Sequence, residues 1–398
     1  MPRPRPPAGD THNFGRRVSI GARSVKKPRS VFWEWLVLGK GSPLRRLLSE
    51  LAERDGLGSS AFAFLPTLRF RRSRLAGEVE RLRIAPLGRL SAEGKRELAV
   101  AVGRSLALFS WLGVADLHWE NLALGRGNDG QVIFAPLDIE MALADLGLPT
   151  ETKLLPDVDP DYAAICRHAA GVRRVLPYLG KPIGAEELVT IADAYVALLG
   201  LLERHRGAIA RTIAAAPGFS DAPIRVCLRG TDEYVLAPSQ PPSPPLLDAE
   251  LEQLARGDIP YFFRLYGQPG IRWFSNRALT ATQSLPLRGD VPKLEPLLSV
   301  ARGFRSRARR RLGEAGLFAL LGAFDHPGLR GRYVGHELSV RFGTRRLTVA
   351  MASGETLSAP RDLGALVGSV YLPCRCGEVR SVLVPRVTRC RAIVRARS

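Results

Sequence analysis

A helix, a loop and a strand in the middle of this chain constrain it more than any other feature. Leu98, Val102, Leu106 and Phe109 fall at steps of four, four and three. That spacing is one stripe of an amphipathic helix that starts near Ser91 and ends at Gly113. The next loop reads Asp116-Leu-His118-Trp-Glu-Asn121. Gln131 to Glu140 then has the apolar composition of a strand and closes on Asp138-Ile-Glu140. A lone D-x-H-x-x-N is ordinarily a turn with caps, and a lone D-x-E is ordinarily a solvated strand end. Together, in this order and between these elements, they point to chemistry.

The chemistry that fits is phosphoryl transfer. In the protein-kinase catalytic loop an Asp stands five residues before an Asn, as Asp116 does before Asn121. One carboxylate orients the attacking hydroxyl, and the loop returns an amide oxygen to the metal. A second carboxylate on a following strand bridges that metal to the β- and γ-phosphates, and Asp138 is placed for that role. The nucleotide phosphates also need a cation. The candidate is Lys27 of Lys27-Pro28-Arg29, near the end of an early β-like stretch from Val18 to Val25. Taken alone, Lys27 is a surface lysine.

Six short motifs run through the chain in order: Asp10-Thr-His12-Asn13-Phe-Gly15, Lys27-Pro28-Arg29, Asp116-Leu-His118-Trp-Glu120-Asn121, Asp138-Ile-Glu140, Arg225-Val-Cys-Leu-Arg229-Gly-Thr231-Asp-Glu-Tyr234 and Asp258-Ile-Pro-Tyr-Phe262. In these motifs and their order the chain resembles the dehydratase domain of class II lanthipeptide (lantibiotic) synthetases, over residues 10 to about 263 and more weakly to about 320. The resemblance implies an α+β, two-lobed kinase-like fold with an added elimination subsite. It implies ATP and Mg²⁺ as cofactors, and a ribosomally made precursor peptide rich in Ser, Thr and Cys as substrate. Ser and Thr would be phosphorylated and the phosphate then eliminated, giving dehydroalanine and dehydrobutyrine. Lys27, Asp116, His118, Asn121, Asp138 and Glu140 would serve nucleotide, metal and phosphorylation, with Asn121 and Asp138 on the metal. Asp10, His12, Arg225 and Thr231 would serve elimination, which needs a base for the Cα proton and cations for the departing phosphate. Arg225 and Arg229 would share a face if their segment were helical; the sequence leaves open whether it is helical or extended. Asp258-Ile-Pro-Tyr-Phe262 reads as structural.

Three departures from the family pattern stand out. Only nine residues precede Asp10, so a small lobe over residues 10–90 is expected to be incomplete. The fused cyclase with its Cys/Cys/His zinc site is not seen, which implies a separate cyclase partner. Glycine stands at position 230, where the family commonly has proline. Two other readings stay open: a kinase-like phosphotransferase that stops at the phosphorylated product, and a truncated pseudoenzyme that binds peptide or a synthetase partner.

The remaining sequence sets bounds. The 398 residues are 45% hydrophobic and 24% charged, enough for a large core. A net charge of +20 could serve a polyanion, yet no Lys/Arg stripe interleaved with aromatics appears, so no nucleic-acid partner is expected. The apolar run from Leu188 to Leu202 is broken by Asp193 and Gly200, and has the period of an amphipathic helix over 184–204 rather than of a membrane span. Ser42 with Pro43 marks a helix start. Cys166, Cys227, Cys374, Cys376 and Cys390 lack zinc-knuckle spacing, which suits free thiols in a reducing cytoplasm. Residues 1–9 read as a disordered arm, 91–324 as a kinase C-lobe-like and elimination region, and 325–398 as a β-rich tail. In that tail Leu338–Phe342 and Leu347–Met351 alternate about Gly343-Thr344 as a hairpin.

Overall fold

The computed structural model describes residues 8–143, 152–154, 170–180, 185–242, 245–266, 271–277, 279 and 282–285, together with strand segments 331–334, 338–342, 346–351 and 356–360. The arm before residue 8, Cys166, Cys374, Cys376, Cys390 and the 324/325 boundary lie outside the described residues. The chain is mixed α+β, with its strands in small antiparallel sheets.

The first sheet has the order β1(Ala8–His12), β2(Arg16–Ile20), β3(Ser24–Lys27), β5(Gly77–Glu80), β4(Phe70–Arg72). The stretch expected as one strand from Val18 to Val25 is therefore a hairpin. The chain reverses at Gly21, whose N–H donates to Ser24 O at 2.8 Å, and Ser19 pairs with Lys26. Apolar alternation alone cannot register so tight a turn. Between β3 and β4 lie α1 (Phe32–Leu38) and α2 (Pro43–Arg54). Ser42 caps α2 as expected, its Oγ accepting from Arg45 N at 3.3 Å with Pro43 in the first turn.

The long helix α3 (Ala92–Trp111) is capped by Ser91, whose side chain accepts from Gly94 N. It buries Leu98, Val102, Leu106 and Phe109, as its stripe requires. On one side it packs against the helix Ala185–Arg204, which buries Ile191, Tyr195, Leu198 and Leu202. On the other lies the hairpin β6 (Leu122–Arg126) and β7 (Val132–Pro136). The strand expected over Gln131–Glu140 is thus shorter. Its last part leaves the ladder after Leu137, whose N–H donates to Asn121 O at 2.9 Å. Residues 138–140 are held instead by side-chain ion pairs.

A second sheet, ordered β11(Thr282–Leu285), β10(Ile271–Phe274), β9(Phe262–Arg264), β8(Ile224–Val226), carries Arg225 opposite Phe263. In the tail, β12 (Gly331–Val334), β13 (Leu338–Phe342), β14 (Arg346–Met351) and β15 (Thr356–Pro360) form a four-stranded meander, and its central pair sets Phe342 opposite Leu347 as the alternation predicts. Among the described residues no helix is long and apolar enough to cross a membrane.

Candidate functional site

Strand β3 ends at Lys27, Pro28 turns the chain outward, and α1 begins at Phe32. Within eight residues this places Lys27, Arg29 and Glu34 around one point. Glu34 stands in the first turn of α1, where an acid is favoured by the helix dipole, and it is almost fully buried. Lys27 Nζ lies 3.1 Å from Glu34 Oε1, donates to Leu137 O at 2.9 Å and is 3.5 Å from Asp138 Oδ1. Arg29 reaches Glu34 Oε1 at 2.6 Å, contacts Asp138 Oδ1, and lies 2.7 Å from Glu140 Oε2 as an ion pair not aligned as a hydrogen bond. Arg225, arriving on β8, pairs with Glu140 Oε1, and its backbone N–H donates to Glu140 O at 2.9 Å.

Cations and carboxylates therefore alternate from Lys27 to Arg225, each buried charge facing an opposite one. Burial pushes the Glu140 carboxyl up, but the Arg225 and Arg29 guanidiniums outweigh it and hold Glu140 below the usual carboxylate range. Burial likewise disfavours the charge on Arg29. Asp138, Glu140 and Glu34 reverse that effect and fix Arg29 as a cation.

The Asp116 loop is pinned from both sides. Ala115 N donates to Met141 O (3.0 Å), Leu117 N to Thr152 O (2.8 Å), and Leu143 N to Leu112 O (3.1 Å). Asp116 itself is left-handed, with φ +64°, an uncommon conformation for a residue other than glycine. Its Oδ1 lies 2.8 Å from Lys153 Nζ. Asn121 Nδ2 donates to Asp116 O at 2.8 Å and to His118 Nε2 at 3.2 Å, so its Oδ1 takes part in neither contact. Because Asn121 O accepts from Leu137 N, Asn121 and Asp138 stand side by side at the open end of the β6–β7 hairpin. Burial pushes the Asp116 carboxyl up, yet Lys153, with His118 and Arg225, leaves it below its ordinary value.

The first and last motifs explain each other. Asn13, Phe14 and Gly15 are all left-handed (φ +52°, +70° and +75°) in the turn between β1 and β2. Their conformation aims successive N–H groups inward, and the buried Asp258 carboxylate accepts from Phe14 N (2.6 Å) and Gly15 N (2.8 Å). Arg256 Nε holds the same carboxylate at 2.9 Å. This clasp fixes His12, whose Nδ1–H donates to Ile259 O at 2.7 Å. A carbonyl can only accept, so the neutral ring keeps its proton on Nδ1 and presents Nε2 as a base. Burial, then the charge on Arg225, lowers the His12 pKa. Asp10 is exposed on β1, two residues before His12.

The arginine–threonine motif divides between two jobs. The segment is not helical: residues 224–226 are extended and the strand ends there, so Arg225 on the strand and Arg229 beyond it meet different partners. Arg225 enters the ion-pair chain. Arg229 turns into the core, where its Nε donates to Glu250 Oε1 at 2.9 Å, and Tyr234 OH donates to the same oxygen at 2.7 Å. Gly230 is extended and begins the helix Thr231–Leu236, its N–H bound by Glu233 at 3.4 Å. Among the described residues Thr231 makes no hydrogen bond to the ion-pair chain. The structure thus gathers Lys27, Asp138, Glu140 and Arg225 in one chain and Asp116, His118 and Asn121 beside it. His12 is clasped at its edge, and Thr231 begins the helix Thr231–Leu236 without a hydrogen bond to that chain among the described residues.

Three residues outside the sequence assignment belong to this group: Glu34, Arg29 and Lys153. Glu34 had a signal, being the one acid in the otherwise apolar segment Phe32–Leu38, seven residues after Lys27. Arg29 stood inside a recognised motif without a role of its own. Lys153 had no signal at all.

A hard cation such as Mg²⁺ takes oxygen donors and commonly uses only one or two carboxylates, with phosphate and water completing the shell. Asp138, with its side chain 33% exposed, and the Oδ1 of Asn121, which neither Nδ2 contact uses, fit that share. Among the described residues no three His, Cys, Asp or Glu side chains form a metal cage. No protein-family model and no curated protein matches this chain.

Proposed function

We propose that this chain is an ATP-dependent dehydratase of a ribosomally made peptide, with a two-lobed kinase-like fold, phosphorylating Ser or Thr and then eliminating the phosphate. The observation that carries the reading is the continuous ion-pair chain from Lys27 through Asp138, Arg29 and Glu140 to Arg225. It joins a phosphoryl-transfer half-site to a cation suited to a phosphate leaving group. Two steps on one peptide oxygen require such neighbouring half-sites.

In the first step Asp116 orients the peptide hydroxyl and receives its proton as the oxygen attacks the γ-phosphorus. Lys27, itself oriented by Glu34, neutralises the nucleotide phosphates. Mg²⁺ held by Asp138 and Asn121 would draw charge from those phosphates. In the second step His12 Nε2 takes the Cα proton, the Cβ–O bond breaks, and the electron pair leaves on phosphate, where Arg225 offers its two-pronged donor. Burial keeps His12 neutral and so competent as a base near neutral pH.

One observation favours the simpler alternative of a phosphotransferase without elimination: among the described residues Thr231 makes no hydrogen bond to the ion-pair chain. Mass spectrometry of products from Arg225→Ala separates the two. With ATP, Mg²⁺ and the cognate peptide, the variant should accumulate phosphorylated Ser/Thr, its elimination slowed by about 10²–10³. Dehydrated product at the wild-type rate would remove Arg225 from the reaction. A wild type that stops at the phosphorylated peptide would establish the phosphotransferase.

A further inference from the structure

We propose that Lys153 is a phosphate-binding residue of this site: it receives the newly formed phosphate beside Asp116 and, with Arg225, seats the phosphate monoester before elimination. The inference rests on the dehydratase reading and deepens it, since Lys153 belongs to none of the six motifs.

The geometry begins with the backbone. Lys153 (φ +62°) and Asp116 (φ +64°) are both left-handed, a conformation unfavourable for such residues that persists only where the surroundings enforce it. The enforcement is visible. Leu117 N donates to Thr152 O (2.8 Å), Leu154 N to the buried Thr152 Oγ1 (3.0 Å), and Gly171 N to Lys153 O (3.0 Å). Two strained residues are thereby set against each other so that Lys153 Nζ meets Asp116 Oδ1 at 2.8 Å. Their side chains remain 22% and 34% exposed, so the pair is not sealed in the core.

Reach follows from that contact. A hydroxyl giving its proton to Asp116 must come within about 2.6–3.2 Å of the carboxylate. The O–P bond forms at that oxygen while the bond from the γ-phosphorus to ADP breaks. The new phosphate therefore arises within one side chain's reach of Nζ, and its double negative charge attracts the ammonium more strongly than one carboxylate does. On elimination the Cβ–O electron pair leaves with the phosphate, whose charge two cations then share. Arg225, which the dehydratase reading already sets against the leaving phosphate, is the second.

A purely structural ion pair would make the opposite prediction in one variant, which makes the test sharp. The full chain would be titrated calorimetrically with Mg·ATP, inorganic phosphate and a synthetic phosphoserine peptide. Lys153→Met should bind phosphate and phosphopeptide about tenfold more weakly, the size of one charged hydrogen bond, while Mg·ATP affinity stays within about threefold. Lys153→Arg should keep both. Asp116→Asn should bind phosphate several-fold more tightly, because the carboxylate no longer competes for Nζ, and adding Lys153→Met should abolish that gain. If Lys153→Met fails to fold, the Asp116→Asn arm decides alone. A wild type without Mg·ATP affinity would overturn the dehydratase reading and this proposal with it. If wild type binds Mg·ATP but takes up no phosphate or phosphopeptide, the proposal alone fails. It fails equally if Lys153→Met matches wild type, or if Asp116→Asn weakens phosphate binding.

Discussion

At the residue scale, Glu34 has the most to hold. One oxygen of its buried carboxylate faces both Lys27 and Arg29, so its removal leaves two buried cations short of a partner. Breaking a buried pair from one side ordinarily costs about 3–5 kcal/mol. Because both cations keep Asp138, Glu34→Ala should lose about 3 kcal/mol in denaturant unfolding. The exposed Arg71–Glu78 pair gives the contrast, with Arg71 89% exposed. Arg71→Ala should change stability by less than about 0.5 kcal/mol. Equal costs for the two would mean that the Lys27–Glu34–Arg29 group is not the buried unit described.

At the element scale, the packing of α3 on the helix Ala185–Arg204 positions the Asp116 loop, since that loop begins where α3 ends. Gly103 marks the closest approach. A Cβ there would lie 2.3 Å from Ile191 O and 2.9 Å from Ala194 Cβ. Helix propensity alone favours alanine by about 1 kcal/mol, but overpacking a fixed helix contact costs about 1–3 kcal/mol. Gly103→Ala should therefore be destabilising by about 1–2 kcal/mol. At Gly200, on the partner helix, a Cβ meets only the far end of Arg204 at 3.4 Å, and Gly200→Ala should stabilise by up to about 1 kcal/mol. Thermal unfolding of the two variants reads the sign directly. A stabilised Gly103→Ala would mean that the helices do not approach so closely.

At the scale of the whole molecule, the clasp of Asp258 on the β1–β2 turn closes the chain's first strand onto a segment more than two hundred residues later. His12 senses that closure. Its folded-state pKa is lowered by burial and by Arg225, so the unfolded chain binds a proton more readily than the folded one. The stability His12 contributes is fully present above its unfolded value of about 6.5 and is lost as pH falls through the folded value. Denaturation measured from pH 7 to pH 5 should therefore show falling stability, with a slope that shrinks in His12→Asn. An unchanged slope would mean that other groups carry the acid sensitivity.

Much of the site was legible from residues close in sequence. The Ser42 and Ser91 caps, the α3 stripe, the pairing of Leu338–Phe342 with Leu347–Met351 and the five-residue step from Asp116 to Asn121 are local patterns. Backbone geometry and side-chain periodicity impose them before any tertiary contact forms. The reversal at Gly21, the early end of β7 and the extended course of residues 224–226 were not legible, because short apolar segments satisfy more than one register until neighbours pair with them. The division of labour between Arg225 and Arg229 was decided by which carboxylate each met, Glu140 in the site or Glu250 in the core. Lys153 shows the limit most plainly: its meaning lies in a 2.8 Å contact with a residue 37 positions earlier. The sequence by itself determined the start of α2, the course of α3, the helix Ala185–Arg204 and the pairing of the tail strands, together with residue types suited to phosphate chemistry. Only the tertiary structure decided which charges would face one another, because an ion pair between distant residues is a property of packed surfaces that no local spacing encodes.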